Sequence, residues 1–284
     1  MTGSDRLPPR ATGTDWRRRE LASFLRARRT GVSPEAFGIE PGRQRRTTGL
    51  RREEVAQLLG VSPSWYTKLE QGLDVTASPR LLVRIADVLC LSAMERAQLL
   101  RLGSEETPTS TAPAGEVLPP VQMIIDAMSY SPAFVLTPRA DYIASNAAAV
   151  ALFGDFKTFA GPESNQLLSL FLDENTRRSL PDWRESARQQ VAMFRTAFAR
   201  NIHDPGFHAL IERLLAESDY FRELWARYEL PSGSSREVQY RPGGAVPLTF
   251  RHFTFFADLD GQFRVEVFSP IDEGTTRFMM ARMS

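Results

Sequence analysis

The 284-residue sequence holds one cysteine, Cys90, and three histidines. A single cysteine excludes a disulfide framework and any cysteine-rich zinc module. His203, His208 and His252 include no pair three or four residues apart, so a helical metal-ligand pair is missing too and no metal is expected. No apolar run approaches the ~18–20 residues of a membrane span. Met1 to Arg10 lacks the apolar core of a secretion signal. Gly-x-Ser-x-Gly, a phosphate loop and Gly-x-Gly-x-x-Gly are also missing. The acidic pair Asp258/Asp260 stands beside Gly261, where turn chemistry accounts for it. The expectation is a non-enzymatic protein without a cofactor or catalytic residue, cytoplasmic and nucleoid-associated, with no membrane contact.

What the sequence does have is an uneven distribution of charge. The net charge is only +1, but residues 1–103 carry 18 Lys+Arg against 11 Asp+Glu, or +7. The remainder carries 17 against 23, or −6. Of 18 phenylalanines, 16 follow residue 103. A basic, aromatic-poor segment joined to an acidic, aromatic-rich one predicts two domains, the first facing a polyanion. Residues 104–120 hold four Pro and five Ser/Thr and read as a linker. Residues 1–14 read as a disordered arm, 15–103 as one domain and 121–284 as the other.

In the first domain Leu21, Phe24 and Leu25 recur at helical spacing opposite a comb of Arg17, Arg18, Arg19, Arg26 and Arg29. Gly31 to Gly49 reads as an irregular connection. Arg51–Leu59 and Ser62–Gln71 then form two short helices around the turn Gly60-Val61-Ser62, with Ser62 as N-cap and Pro63 at the first helical position. This is helix-turn-helix spacing. Small Ala56 allows close crossing, and Val61, Tyr66 and Leu69 face the bundle. Ser64, Lys68 and Gln71 then share the outward face with Ser62 and Thr67 beside them, placed to reach base edges. Arg51 and Arg52, at the start of the preceding helix, are placed to clamp phosphate. A plain helical hairpin is the competing reading, and the local charge argues against it. Trp65 either touches a thymine methyl or the backbone, or packs under the connection. Arg43, Arg45 and Arg46 either follow phosphates and the minor groove, or form a solvated charge run. Arg80–Leu89 and the box Ser92/Glu95 complete a five-helix, all-α pattern.

The second domain mixes periodicities. Ala133–Thr137 and Asp141–Ala144 suggest a hairpin, and helical segments follow from Ala147 to Tyr228. Period-two alternation returns in Val238/Tyr240, Leu248/Phe250/His252/Thr254/Phe256 and Phe263/Val265/Val267, with the chain ending in strands. This is an α+β arrangement with antiparallel strands at both sequence ends. The stripe Trp183, Ala187, Val191, Phe194, Phe198 and Ile202 on one helix faces either a core or a pocket. If a pocket, an apolar cavity between sheet and helices is expected, walled by Phe153, Phe194, Phe198, Phe250, His252 and Phe256, with Trp183 and Trp225 nearby. Thr137, Asn146 and Arg195 stand beside apolar stretches, and each either orients a ligand or is a satisfied structural polar group.

Gly49–Gly72, GLRREEVAQLLGVSPSWYTKLEQG, resembles the Xre-type helix-turn-helix, and more specifically that of the MmyB-like transcription regulators. The resemblance continues through Pro132–Leu136, Ser145–Ala149, Leu152–Phe156, Pro181–Trp183 and Glu223–Arg227. It implies a PAS-like ligand-binding domain after the DNA reader, with a fatty-acid-like, small lipophilic ligand as precedent. The sequence departs from the family pattern at Ser145 (usually Trp), Tyr228 (commonly His) and Arg241 (usually His before Pro242). Because one reading helix spans too few base pairs for specificity, the expected partner is a near-palindromic double-stranded DNA operator bound by a homodimer. The alternative from another class is a non-sensing protein-interaction module carrying a DNA-tethering domain.

Overall fold

The computed structural model describes residues 13–40, 48–104, 119–156, 164–231, 233, 235–244, 246–257 and 263–283. The chain divides into two compact units, Met1–Thr107 with Ala199–Phe207 and Pro108–Phe198 with His208–Ser284.

The first unit is helical: α1 (Gly13–Gly31), α2 (Arg52–Leu59), α3 (Pro63–Glu70), α4 (Pro79–Val88) and α5 (Ala93–Gly103), with a 3-10 turn at Pro34–Phe37. Local chemistry fixes the helix ends. The hydroxyl of Ser62 accepts from the Trp65 amide at 3.1 Å and that of Ser78 from Leu81 at 3.3 Å. Ser92 and Glu95 cap each other reciprocally. Gly60 closes α2 in the left-handed region, φ 68°, which frees the chain to turn into α3. At Gly49 a side chain has no room, since a Cβ there would stand 2.3 Å from the Thr30 carbonyl oxygen. Phe24, Leu25, Leu50, Val55, Ala56, Leu59, Tyr66 and Ile85 are fully buried between these helices.

Arg29 does not belong to the outward comb. It is turned inward, where Nε and Nη2 donate to the two carboxylate oxygens of fully buried Glu70 at 2.6 and 2.7 Å. Its Nη1 donates to the Leu50 carbonyl at 2.7 Å. Arg52 adds Nε to Glu70 Oε1 at 2.9 Å. Burial alone would raise the Glu70 carboxyl, but these two guanidiniums outweigh it and hold the carboxyl below its usual range. One carboxylate thus joins α1, α2 and α3.

The second unit carries a five-stranded antiparallel sheet of β1 (Ala133–Leu136), β2 (Tyr142–Ser145), β3 (Ser235–Tyr240), β4 (Leu248–Phe256) and β5 (Arg264–Pro270), in the order β2-β1-β5-β4-β3. The early hairpin is therefore closed onto the late strands by the β1–β5 pairing. Helix α6 (Pro119–Asp126) lays Val121 and Ile125 on Val135, Val265 and Val267 at one sheet face. The opposite face meets α7 (Ala147–Phe153), α8 (Gln166–Leu172), α9 (Glu174–Ser179) and α10 (Trp183–Arg200). Helices α11 (Pro205–Glu217) and α12 (Asp219–Arg227) lead back to β3.

The chain does not end in strands: α13 (Glu273–Met283) follows β5. Asp272 starts it, accepting from the Thr275 amide and hydroxyl at 2.7 Å each. Met279 then packs with Ala148, Leu152, Leu248 and Phe250. Asp258 and Asp260 lie outside the described residues.

Truncating Glu70 to alanine leaves Arg29 buried without its carboxylate. This is expected to destabilise the first unit by about 3–5 kcal/mol, measured as lost amide-exchange protection in α1 and α3 of the full-length protein. Ser92→Ala, which removes only a cap, is expected to cost about 1 kcal/mol in α5 by the same measurement.

Candidate nucleic-acid interface and ligand cavity

The helix-turn-helix follows from two burial patterns meeting at a tight turn. Val55, Ala56 and Leu59 of α2 face Tyr66 and Leu69 of α3, all buried, while Val61 between the helices is half-buried. The opposite side of α3 is left to solvent: Ser62, Ser64, Lys68 and Gln71 are exposed, and Trp65 and Thr67 are half-buried. Arg51 is exposed at the head of α2, its amide donating to Glu54 Oε2 at 2.6 Å. Arg52, beside it, is half-buried and held by Glu70. The face therefore combines one lysine, hydroxyls and an amide on a helix of eight residues, with arginine at the end of its neighbour. Such a surface can approach phosphates and base edges together. Arg43, Arg45 and Arg46 lie outside the described residues, as does anything Trp65 would pack beneath there.

In the second unit a cavity of about 320 Å³ lies between the sheet and helices α7 to α10. Phe153 and His252 line it, as expected. The other sequence candidates do not. Asn146 is the buried N-cap of α7. Its Oδ1 accepts from Ala133 and Ala149, and its Nδ2 donates to the carbonyls of Ile125, Met128 and Ser131, which leaves nothing for a ligand. Phe194 and Phe198 are fully buried against Trp225 in the helical block. Arg195 is sandwiched between the rings of Trp225 and Tyr228, at 3.7 and 3.9 Å, and donates to the Trp225 carbonyl. Trp225 also stacks on Phe221, and Trp183 packs against Tyr220. Phe250 is covered by Met279 of α13. Phe256 is 53% exposed, because β4 runs past the helices that cover its first half.

The cavity walls come instead from cross-strand neighbours and from the short helices. Phe134, Tyr142, Phe153, Tyr240 and Phe268 form a ring cluster with centroid separations of 4.8–5.6 Å around Phe153 and 5.1 Å between Phe134 and Tyr142. Beside it is a polar group centred on Glu266, which is fully buried. Gln166 and Gln190 donate to its carboxylate at 2.6 and 3.0 Å. Arg264 stands 3.3 Å away and His252 Nε2 3.4 Å away. Burial works against the ionised form, yet Arg264 and these donors hold the carboxyl far below the ordinary glutamate range. Arg236, opposite His252 in the β3–β4 ladder, donates from Nη2 to Ser186 Oγ at 2.9 Å. Desolvation lowers its guanidinium, with Glu266 pulling the other way.

The polar residues of this wall carry no local signal in the sequence. Arg236 and Glu266 read as the polar members of alternating strands, and would be placed on solvent by that pattern. Only the inward turn of charged residues on β3 and β5, visible once the register is known, marks them.

Residues 117–281 match the family model of the MmyB-like transcription regulator ligand binding domain, and residues 20–99 match that of a helix-turn-helix domain. The chain belongs to the MmyB-like transcription regulators. No curated protein matches it significantly. This MmyB-like regulator is thus a DNA-binding transcription regulator with a ligand-binding domain, and the cavity lies within the matched ligand-binding segment.

The depressed Glu266 carboxyl makes stability pH-dependent. A folded-state value below the unfolded one contributes stability that is present above roughly pH 4.3 and is lost as pH falls below it. Melting temperatures measured from pH 7 to pH 3 are expected to fall steeply on the acid side, and Glu266→Gln is expected to flatten that fall.

Proposed function

We propose that the protein is a sequence-specific regulator that binds a near-palindromic operator as a homodimer and answers to a small lipophilic ligand. Residues 15–103 form the DNA-binding domain, 104–120 the linker, and 121–284 the ligand-binding and dimerisation domain. Ser62, Ser64, Thr67, Lys68 and Gln71 approach base edges, with Trp65 at the margin, while Arg51, Arg52, Arg43, Arg45 and Arg46 supply phosphate contacts. The ligand is fatty-acid-like in joining an apolar body to a polar head, and it occupies the cavity beneath α7 to α10. The observation that carries this reading is the pairing, in one chain, of an exposed polar face on α3 with a partly open, largely aromatic-lined cavity elsewhere. Dimerisation follows from the short reading helix, since specificity needs two half-sites.

Binding to the chain's own promoter region and to random duplex DNA, compared across salt concentrations, tests the assignment. Lys68→Ala and Ser64→Ala are expected to lose about 1–3 kcal/mol on the specific site for each good contact removed, with little change on random DNA. Arg51→Ala is expected to weaken both and to reduce the salt slope by about one. An equal loss on both DNAs for Lys68→Ala would remove α3 from the reading role.

A further inference from the structure

The cavity wall carries a charged residue, Arg236, with no carboxylate at ion-pair distance among the described residues. Glu266 is matched by Arg264 at 3.3 Å and by the two glutamines. Arg236 has no such match. Among the described residues its one hydrogen bond is to the neutral Ser186 hydroxyl, and no carboxylate stands within ion-pair distance. Glu266, Glu185 and Asp182 act on it only at longer range. A half-buried guanidinium in a cavity wall, with one neutral partner, is matched in charge and geometry by a carboxylate.

The apolar part of the wall is equally specific. It is more aromatic than aliphatic, with Leu170, Leu180 and Val238 beside a larger set of rings: Phe134, Tyr142, Phe153, Tyr240 and Phe268 present ring faces and edges to one another in tilted and edge-on pairs. A further ring entering this cluster gains edge-to-face contacts worth about 0.5–1.5 kcal/mol each. A long flexible chain gains only area and loses rotamer freedom. The volume of about 320 Å³ is at the compact end of ligand sites.

Resting on the reading of this cavity as the ligand site, we propose that its ligand is a compact aromatic carboxylate, with the ring among Phe134, Phe153, Tyr240 and Phe268 and the carboxylate on Arg236 beside Ser186. The acid is selected over a neutral compound of the same shape by Arg236, and over a long-chain acid by the rings.

The full-length protein, titrated calorimetrically with 3-phenylpropanoate, 3-phenylpropan-1-ol and decanoate, tests this. The aromatic acid is expected to bind at least ten-fold more tightly than the alcohol and more tightly than decanoate. Arg236→Gln is expected to bring the acid down to the alcohol's affinity, with Arg236→Lys retaining part of the difference. The acid–alcohol comparison in the unaltered protein stands whether or not the variants fold. Equal binding of acid and alcohol would overturn the role of Arg236. Decanoate binding more tightly than 3-phenylpropanoate would overturn the aromatic assignment while leaving the cavity as a ligand site. Binding of none of the three would overturn the proposal, and a wider screen that also failed would remove the ligand-site reading itself.

Discussion

A carboxylate sealed inside a β-sheet protein has to be surrounded by donors, and Glu266 obtains them from separate parts of the chain. Arg264 lies two residues away on the same strand, His252 is on β4, Gln190 on α10 and Gln166 on α8. Burying an unpaired charge costs several kcal/mol or more, so the arrangement holds only while all of these segments are in place. The helices over the sheet are thus held in one position by a polar requirement as well as by apolar contact. Apolar contact is non-directional and would tolerate sliding. The hydrogen bonds to Glu266 do not, and they set the distance between sheet and helices across which the cavity opens.

The first unit uses the same device for another end. Glu70 is as fully buried, and its partners Arg29 and Arg52 sit on α1 and α2. A bidentate guanidinium–carboxylate pair fixes orientation as well as distance. The result is that α3 cannot rotate about its own axis without losing the pair. The exposed row of Ser64, Lys68 and Gln71 is therefore presented at a fixed angle. Arg52 stands between two claims, since its Nε belongs to Glu70 while the rest of its side chain is partly open to solvent. Its contribution to a phosphate contact is consequently coupled to the stability of the unit that presents it, whereas Arg51 carries no such structural duty. This is why Arg51 is the cleaner probe of the electrostatic part of DNA binding.

Much of the architecture was legible from the residues, and the reason is one of range. A cap such as Ser62 with Trp65, or Ser92 with Glu95, acts over three residues, so the covalent chain itself brings the partners together. The alternation in β3, β4 and β5 is likewise local, and it predicted the strands. Two elements carry weaker local signals: α9 is six residues with no buried member, and α13 rests on the Asp272 cap rather than on a strong apolar stripe. The arginine comb of α1 failed at one member for a different reason. Arg29 looks like its neighbours in sequence, and only a carboxylate 41 residues further on distinguishes it.

The cavity shows the same limit more strongly. Its polar floor joins residues 76 and 100 positions apart. Nothing in the spacing of Gln166, Gln190 and Glu266 announces that they meet. The helix stripe Phe194/Phe198 has the clearer local pattern, one that fits a core or a ligand wall equally well on spacing alone. Yet a regular stripe is what a helix needs to pack against other helices, and close packing leaves no space between such faces. Space opens where that regularity breaks: at the short helices α8 and α9, and where charged residues take the inward positions of β3 and β5. In this fold the regular helix stripe marks the core, and the short helices with the inward faces of the strands line the cavity.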